Sequence, residues 1–124
     1  MIKGSCCCGD VTFDVTGTPK DMSVCHCTQC RKMSGYAWSS AQVSDGDLSI
    51  TGPVTWFEAS DIAKRGICPR CGSFLFWKAH DEDTISFALG AVDWPTGVTL
   101  EKHIFVADKG DYYDVADDLP QRAQ

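Results

Sequence analysis

The chain has eight cysteines, and all of them lie within its first 71 residues. They fall into three close groups: Cys6, Cys7 and Cys8; then Cys25, Cys27 and Cys30 within Cys25-His26-Cys27-Thr28-Gln29-Cys30-Arg31; then Cys68 and Cys71. An even number of cysteines suits a disulfide-stapled secreted domain. Three features oppose that reading. The N-terminus, Met1-Ile2-Lys3-Gly4-Ser5, runs into cysteines without the apolar segment of a signal peptide. A reducing, cytoplasmic setting is therefore expected, where disulfides are disfavoured. The close spacing suits chelation of one ion better than long-range stapling, and nothing after Cys71 would be stapled. Metal binding is the expectation, and thiolates in this pattern point to zinc.

Residues i and i+2 of an extended segment face the same way. Cys6 and Cys8 then face one ion while Cys7 points away as a small packed side chain. Cys25 and Cys27 likewise share a face, with His26 turned away from it. Seven sulfurs divide naturally as four and three. Cys25, Cys27 and Cys30 are close enough in sequence to hold one ion, leaving Cys6, Cys8, Cys68 and Cys71 for a closed four-sulfur site. Spacing also permits a single zinc ribbon built from the knuckles Cys27/Cys30 and Cys68/Cys71, and it does not choose between the two.

The remainder reads as β-structure. Val11, Phe13 and Val15 alternate with polar residues, which predicts a hairpin over residues 2–15. Short strands are expected from Tyr36 to Val43, over 48–51 and 54–58 around Gly52-Pro53, over 74–77, over 84–89 and over 100–106. A single helical turn is expected over Arg31 to Gly35, and a polar loop over Ala59 to Arg65. Six to nine short strands, no long helix and no repeat predict one mainly β domain over residues 1–124. The formal charge is −6, and seven thiolates against two dications would make it more negative. Such a surface repels phosphates, so nucleic acid is not an expected partner. No run approaches the roughly 18 apolar residues of a membrane span, so no membrane partner is expected either.

The order of motifs is similar to that of the glutathione-dependent formaldehyde-activating enzyme family, which includes centromere protein V-like domains. The resemblance is carried by Gly4-Ser5-Cys6-Cys7-Cys8-Gly9, Cys25-His26-Cys27-Thr28-Gln29-Cys30-Arg31-Lys32 and Cys68-Pro69-Arg70-Cys71-Gly72-Ser73. Gly90-Ala91-Val92-Asp93, His103-Ile104-Phe105-Val106, Asp108-Lys109 and Asp118-Leu119-Pro120 extend it to nearly the whole chain. It implies an Mss4-like fold of twisted β-sheets. It implies a structural zinc on Cys6, Cys8, Cys68 and Cys71, and a second zinc on Cys25, Cys27 and Cys30 with an open position. It also implies a carbon–sulfur lyase acting on glutathione and formaldehyde.

A thiol that enters the open position loses its proton to the cation's field. Arg31 or Lys32 would balance the three-thiolate charge or hold a glutathione carboxylate, and ordinary surface charge is the other reading of the same two residues. His26 suits a proton relay, but its parity turns it away from the metal, so it is expected to pack or to support the site from behind. His80 is expected to be solvated and His103 structural. Three thiolates make zinc a poor Lewis acid, which disfavours water activation. A methionine sulfoxide reductase would need a late redox cysteine, and none follows Cys71. The alternative to the lyase is a non-catalytic zinc module, a glutathione carrier or a protein-interaction domain. The aromatics Trp38, Trp56, Trp77 and Trp94 suit either a substrate pocket or packing.

Overall fold

A computed structural model describes residues 1–124. Its strands are β1 (Ile2–Ser5), β2 (Thr12–Val15), β3 (Lys20–Cys25), β4 (Trp38–Ser44), β5 (Leu48–Thr51), β6 (Thr55–Glu58), β7 (Ala63–Ile67), β8 (Phe74–Ala79), β9 (Thr84–Ala88) and β10 (Lys102–Ile104). One α-helix, α1 (Thr28–Ser34), follows β3. The strands form a three-stranded sheet in the order β1-β2-β5 and a seven-stranded sheet in the order β10-β3-β4-β9-β8-β7-β6. Every pairing is antiparallel except that of β10 with β3. The mainly β architecture expected from the sequence is the one observed.

The core lies where the small sheet covers the large one. Phe13 and Val15 on β2 point inward, while Thr12 and Asp14 remain outside or half-buried. Phe13 meets Phe76 edge to face with ring centres 5.4 Å apart, and Phe87 at 5.8 Å. Val11, Ala41, Val43, Leu75, Ile85 and Val92 belong to the same cluster, as do Cys6 and Cys68. A second cluster forms around Cys25, Cys30, Trp38, Phe74 and Ala88, with Trp38 stacked on Phe74 at 4.1 Å. The three-sulfur stretch is therefore part of a packed core, not a surface appendage.

Several expectations are corrected. Ten strands are present, one more than the upper estimate. The largest change is at residues 59–65, expected as a loop, where β7 begins at Ala63 and lies between β6 and β8. Its charged sequence hid a central strand, because Lys64 lies over the Trp56 ring and Arg65 turns inward. The strands on either side of Gly52-Pro53 do not pair, since β5 joins the small sheet and β6 the large one. The helix begins earlier than the expected turn, at Thr28, because the sulfur of Cys27 caps it by accepting from Cys30 N–H at 3.3 Å. It ends at Gly35, whose φ of +85° is the left-handed conformation that glycine adopts without penalty. The final strand is shorter than expected, over Lys102–Ile104. Its outer edge is covered by the tail, with His103 N–H donating to Pro120 O at 2.9 Å and Arg122 N–H to His103 O at 2.9 Å. Covering satisfies backbone groups that an open edge would leave available for pairing with another chain.

Phe76 is fully buried between the two sheets. Phe76→Ala is expected to lower the unfolding free energy of the metal-loaded chain by about 3–5 kcal/mol in urea titration. A loss below about 1 kcal/mol would show that the sheets do not pack through this ring.

Candidate metal centres

Two sulfur clusters form in the folded chain: Cys6, Cys8, Cys68 and Cys71 in one, and Cys25, Cys27 and Cys30 in the other, with the sulfurs of each within 4.8 Å of one another. This is the four-plus-three division, not the single ribbon from two knuckles. All eight cysteines are free thiols.

The four-sulfur cluster joins the β1–β2 hairpin loop to the Cys68–Gly72 knuckle across 60 residues. The loop cysteines lie in a turn, not in the extended backbone that the parity argument assumed. Cys6 N–H donates to Val11 O at 2.9 Å and Gly9 N–H to Cys6 O at 3.2 Å. The turn nevertheless directs Cys6 and Cys8 together, but it leaves Cys7 exposed at the loop surface, not packed as expected. On the other side, Gly72 has a φ of +80° and donates to Cys68 O at 2.9 Å. That turn brings Cys71 back beside Cys68. Ion pairing of Arg70 with Asp10 at 3.2 Å and the bond from Cys7 N–H to Ser73 Oγ at 3.1 Å tie the two loops together.

The sulfur spacing fits zinc. Cys6 and Cys8 are 3.6 Å apart at Sγ, and Cys8 and Cys68 are 3.7 Å apart. Tetrahedral bonds of about 2.3 Å require an edge of about 3.8 Å. The all-sulfur donor set also suits a soft cation. Without one, the thiols compete for ionisation. Hydrogen bonding from Ser73 holds Cys71 down to about 5. The Asp10 backbone N–H favours the Cys8 thiolate, but lost solvation and three sulfur neighbours outweigh it and push Cys8 up to about 12.

The three-sulfur cluster is built where β3 ends and α1 begins. Cys25 is the last residue of β3, Cys27 caps the helix, and Cys30 is buried in its first turn. Arg65 reaches this cluster from β7. Its guanidinium donates to Cys30 Sγ at 3.4 Å and approaches Cys27 Sγ at 4.0 Å, while its Nε donates to Gln29 Oε1 at 3.0 Å. The same group lies 5.2 Å from the Phe74 ring centre, and Arg65 is only 4% exposed. A buried guanidinium needs anionic company, and the Cys27 thiolate supplies it. Contact with Cys25, reinforced by Cys30 and the charge of Arg65, holds Cys27 far below the usual thiol range. Its thiolate in turn pushes Cys25 far up. For Cys30 the Cys25 contact pulls downward, but Cys27 and burial prevail and the thiol is pushed up.

The three sulfurs open onto a cavity of about 760 Å³, walled also by Arg65, Trp38, Trp77, Ile104, Phe105 and Ser60. Lys102 and Arg122 stand on its wall, Lys102 paired with Asp21 at 3.0 Å. Arg31 and Lys32 are not among its lining residues. Arg31 donates to Asp108 O at 3.1 Å and to Thr28 Oγ1 at 3.4 Å, and Lys32 is exposed. Arg65, which sequence reasoning passed over, holds the position against the sulfurs. The available signal was its parity with Ala63 and Ile67, which places it on one face of a short strand. His26 points away from the sulfurs and is buried, as is His103. His80 is exposed and bonded to Glu58 at 2.8 Å. Trp94 is also exposed, so of the four tryptophans only Trp38 and Trp77 wall the cavity.

Residues 1–108 match the family described as glutathione-dependent formaldehyde-activating enzyme. The chain belongs to this family. A crystal structure of a Rhodobacter sphaeroides protein has a similar fold, with a TM-score of 0.59 and 23% identity, over 78% of this chain and 90% of that one. No curated protein matches the chain. Membership suggests glutathione-dependent formaldehyde activation and a thiol substrate related to glutathione, and the two clusters fit zinc. No helix of this family member is long and apolar enough to cross a membrane.

Of the three central thiols only Cys27 is strongly disposed to ionise before metal arrives. Zinc uptake there is expected to release about two protons near neutral pH, and affinity is expected to weaken on acidification. Calorimetry in buffers of different ionisation heat measures this, and uptake without proton release would contradict the assignment of ionisation states.

Proposed function

We propose that the protein is a zinc-dependent carbon–sulfur lyase that forms and cleaves S-hydroxymethylglutathione at the three-sulfur cluster. The carrying observation is that Cys25, Cys27 and Cys30 form a set of three, one short of a closed zinc site, at the wall of a cavity. Cys6, Cys8, Cys68 and Cys71 would hold a structural zinc, and the three central cysteines a second. Zinc with three thiolate ligands and one free position supplies a cation that keeps an added thiol ionised near neutral pH.

The chain's own groups support this chemistry. Arg65 offsets thiolate charge, which lowers the repulsion met by an incoming anionic sulfur. Trp38 and Trp77 provide apolar walls that limit water around the sulfur. Lys102 and Arg122 offer positive charge to the carboxylates of glutathione, a role the sequence assigned to Arg31 and Lys32. In the forward direction the thiolate sulfur forms a bond to the aldehyde carbon, the C=O π pair moves to oxygen, and that oxygen takes up one proton. The thiol's proton balances it, so no net acid or base is consumed. Reversal breaks the same carbon–sulfur bond.

NMR exchange spectroscopy of formaldehyde with glutathione tests the proposal. Faster exchange with zinc-loaded protein supports the lyase, and an unchanged rate alongside measurable glutathione binding supports a carrier instead. Cys27→Ser is expected to abolish the acceleration while circular dichroism shows the fold retained, whereas Cys71→Ser unfolds the chain. Loss of folding in both variants would make the three-sulfur cluster structural. Arg65→Met is expected to cut the acceleration by roughly tenfold or more, since a charge-assisted contact to an anion is worth about 1.5–3 kcal/mol. Arg65→Lys should recover part of it, and equal activity in all three proteins would exclude the charge-offsetting role.

A further inference from the structure

His26 is 1% exposed and His103 is 6% exposed, and their rings are joined by a hydrogen bond of 2.8 Å from His26 Nε2 to His103 Nδ1. Both outer ends of the pair meet the C-terminal tail. His26 Nδ1 is bonded to the Tyr113 hydroxyl, and His103 Nε2 to Asp117 Oδ2 at 2.9 Å. An ionised carboxylate only accepts, so His103 donates to it from Nε2. With both rings neutral, His103 Nδ1 then accepts from His26 Nε2–H, and His26 Nδ1 accepts from Tyr113 O–H. The chain runs one way, and no buried side-chain nitrogen or oxygen is left without a partner.

The location gives this chain of bonds its consequence. His26 is the only residue between Cys25 and Cys27. Its backbone N–H is already held by Ile104 O at 3.1 Å. A second anchor on its ring fixes the peptide planes that set the directions of both neighbouring sulfurs. Tyr113 also packs against Tyr36 at 4.4 Å, so the tail grips the segment just before α1 and just after it. Lys109 secures Tyr113 by donating to its carbonyl at 2.7 Å. Tyr113 and Asp117 both lie beyond residues 1–108, the part that matches the family.

We propose that Tyr113 and Asp117 are positioning residues for the three-sulfur cluster, acting through the paired His26 and His103 rings to fix the spacing of Cys25 and Cys27. This rests on the reading that the cluster holds the second zinc. It makes the tail part of the site's construction without contact between these two side chains and substrate.

The test uses the full chain loaded with zinc, with chelator competition as the readout. Tyr113→Phe and Asp117→Ala are each expected to weaken retention of one of two ions by roughly tenfold, the scale seen when outer supports of a metal site are removed. Asp117→Asn should recover most of the affinity, because its amide oxygen still accepts from His103. In a Cys27→Ser background, where only the four-sulfur ion remains, the same changes should have no effect. Nitrogen-15 NMR of the imidazoles should show both rings of the wild type protonated at Nε2. Unchanged retention of both ions in Tyr113→Phe and Asp117→Ala overturns the positioning role. An equal loss in the Cys27→Ser background also overturns it, by showing general destabilisation, and so does any other tautomer pattern. A wild-type chain that binds one ion overturns the two-centre reading itself, whereas two ions with unchanged variants overturn only the role of the tail.

Discussion

Placing several thiolates side by side and partly out of water is unfavourable, because burial and like charge both oppose ionisation. Much of this chain is arranged to make two such clusters tolerable. At the four-sulfur cluster, backbone and hydroxyl donors surround the sulfurs: Val11 N–H lies 3.3 Å from Cys6 and the Ser73 hydroxyl 3.1 Å from Cys71. At the three-sulfur cluster the compensation includes a full charge, the guanidinium of Arg65, held by Gln29 and by the face of Phe74. A cation bound at either place would complete the compensation. Its binding energy would count as folding energy, on the order of 10 kcal/mol for a structural site.

The two clusters differ in how they meet the fold. The four-sulfur cluster clips two loops at one end of the structure, so its formation depends on the small sheet being seated on the large one. The three-sulfur cluster lies on a strand-to-helix junction whose side chains belong to the second core cluster. Its geometry is therefore set by packing from several directions: β4 through Trp38, β7 through Arg65, β8 through Phe74 and β10 through the bond from His26 N–H to Ile104 O. This division suits a closed site that supports the fold and an open one that faces a cavity.

Local chemistry carried much of the reading from sequence. Cysteine spacing identified the seven clustered sulfurs, and alternation located the hairpin and most strands. Gly72 takes the left-handed backbone of its knuckle, a conformation that strongly favours glycine and so fits the residue the sequence places there. Alternation failed at β7, where Lys64 and Arg65 resembled a solvated loop. A charged residue in a central strand is invisible to hydropathy when its partner is a thiolate supplied from elsewhere in the chain, here the β3–α1 junction. The cysteine loop after β1 shows the opposite case: Cys6 and Cys8 come together as spacing suggested, although their backbone is a turn and not a strand.

The sequence by itself determined which sulfurs were available, that β-structure would dominate, and the family to which the chain belongs. Those properties reside in spacing, alternation and motif order, all of which are local or linear. Spacing left the division of the sulfurs open, because two knuckles and a hairpin loop can pair in more than one way, and the tertiary structure decided it in the sense the family resemblance implied. It also decided that Arg65, and not Arg31 and Lys32 beside Cys30 in the sequence, lies against the sulfurs. The burial of His26 beside His103, under an acidic tail, was likewise a tertiary outcome. These contacts join residues up to 87 positions apart. Their geometry follows from sheet order and packing, which short-range pattern does not encode.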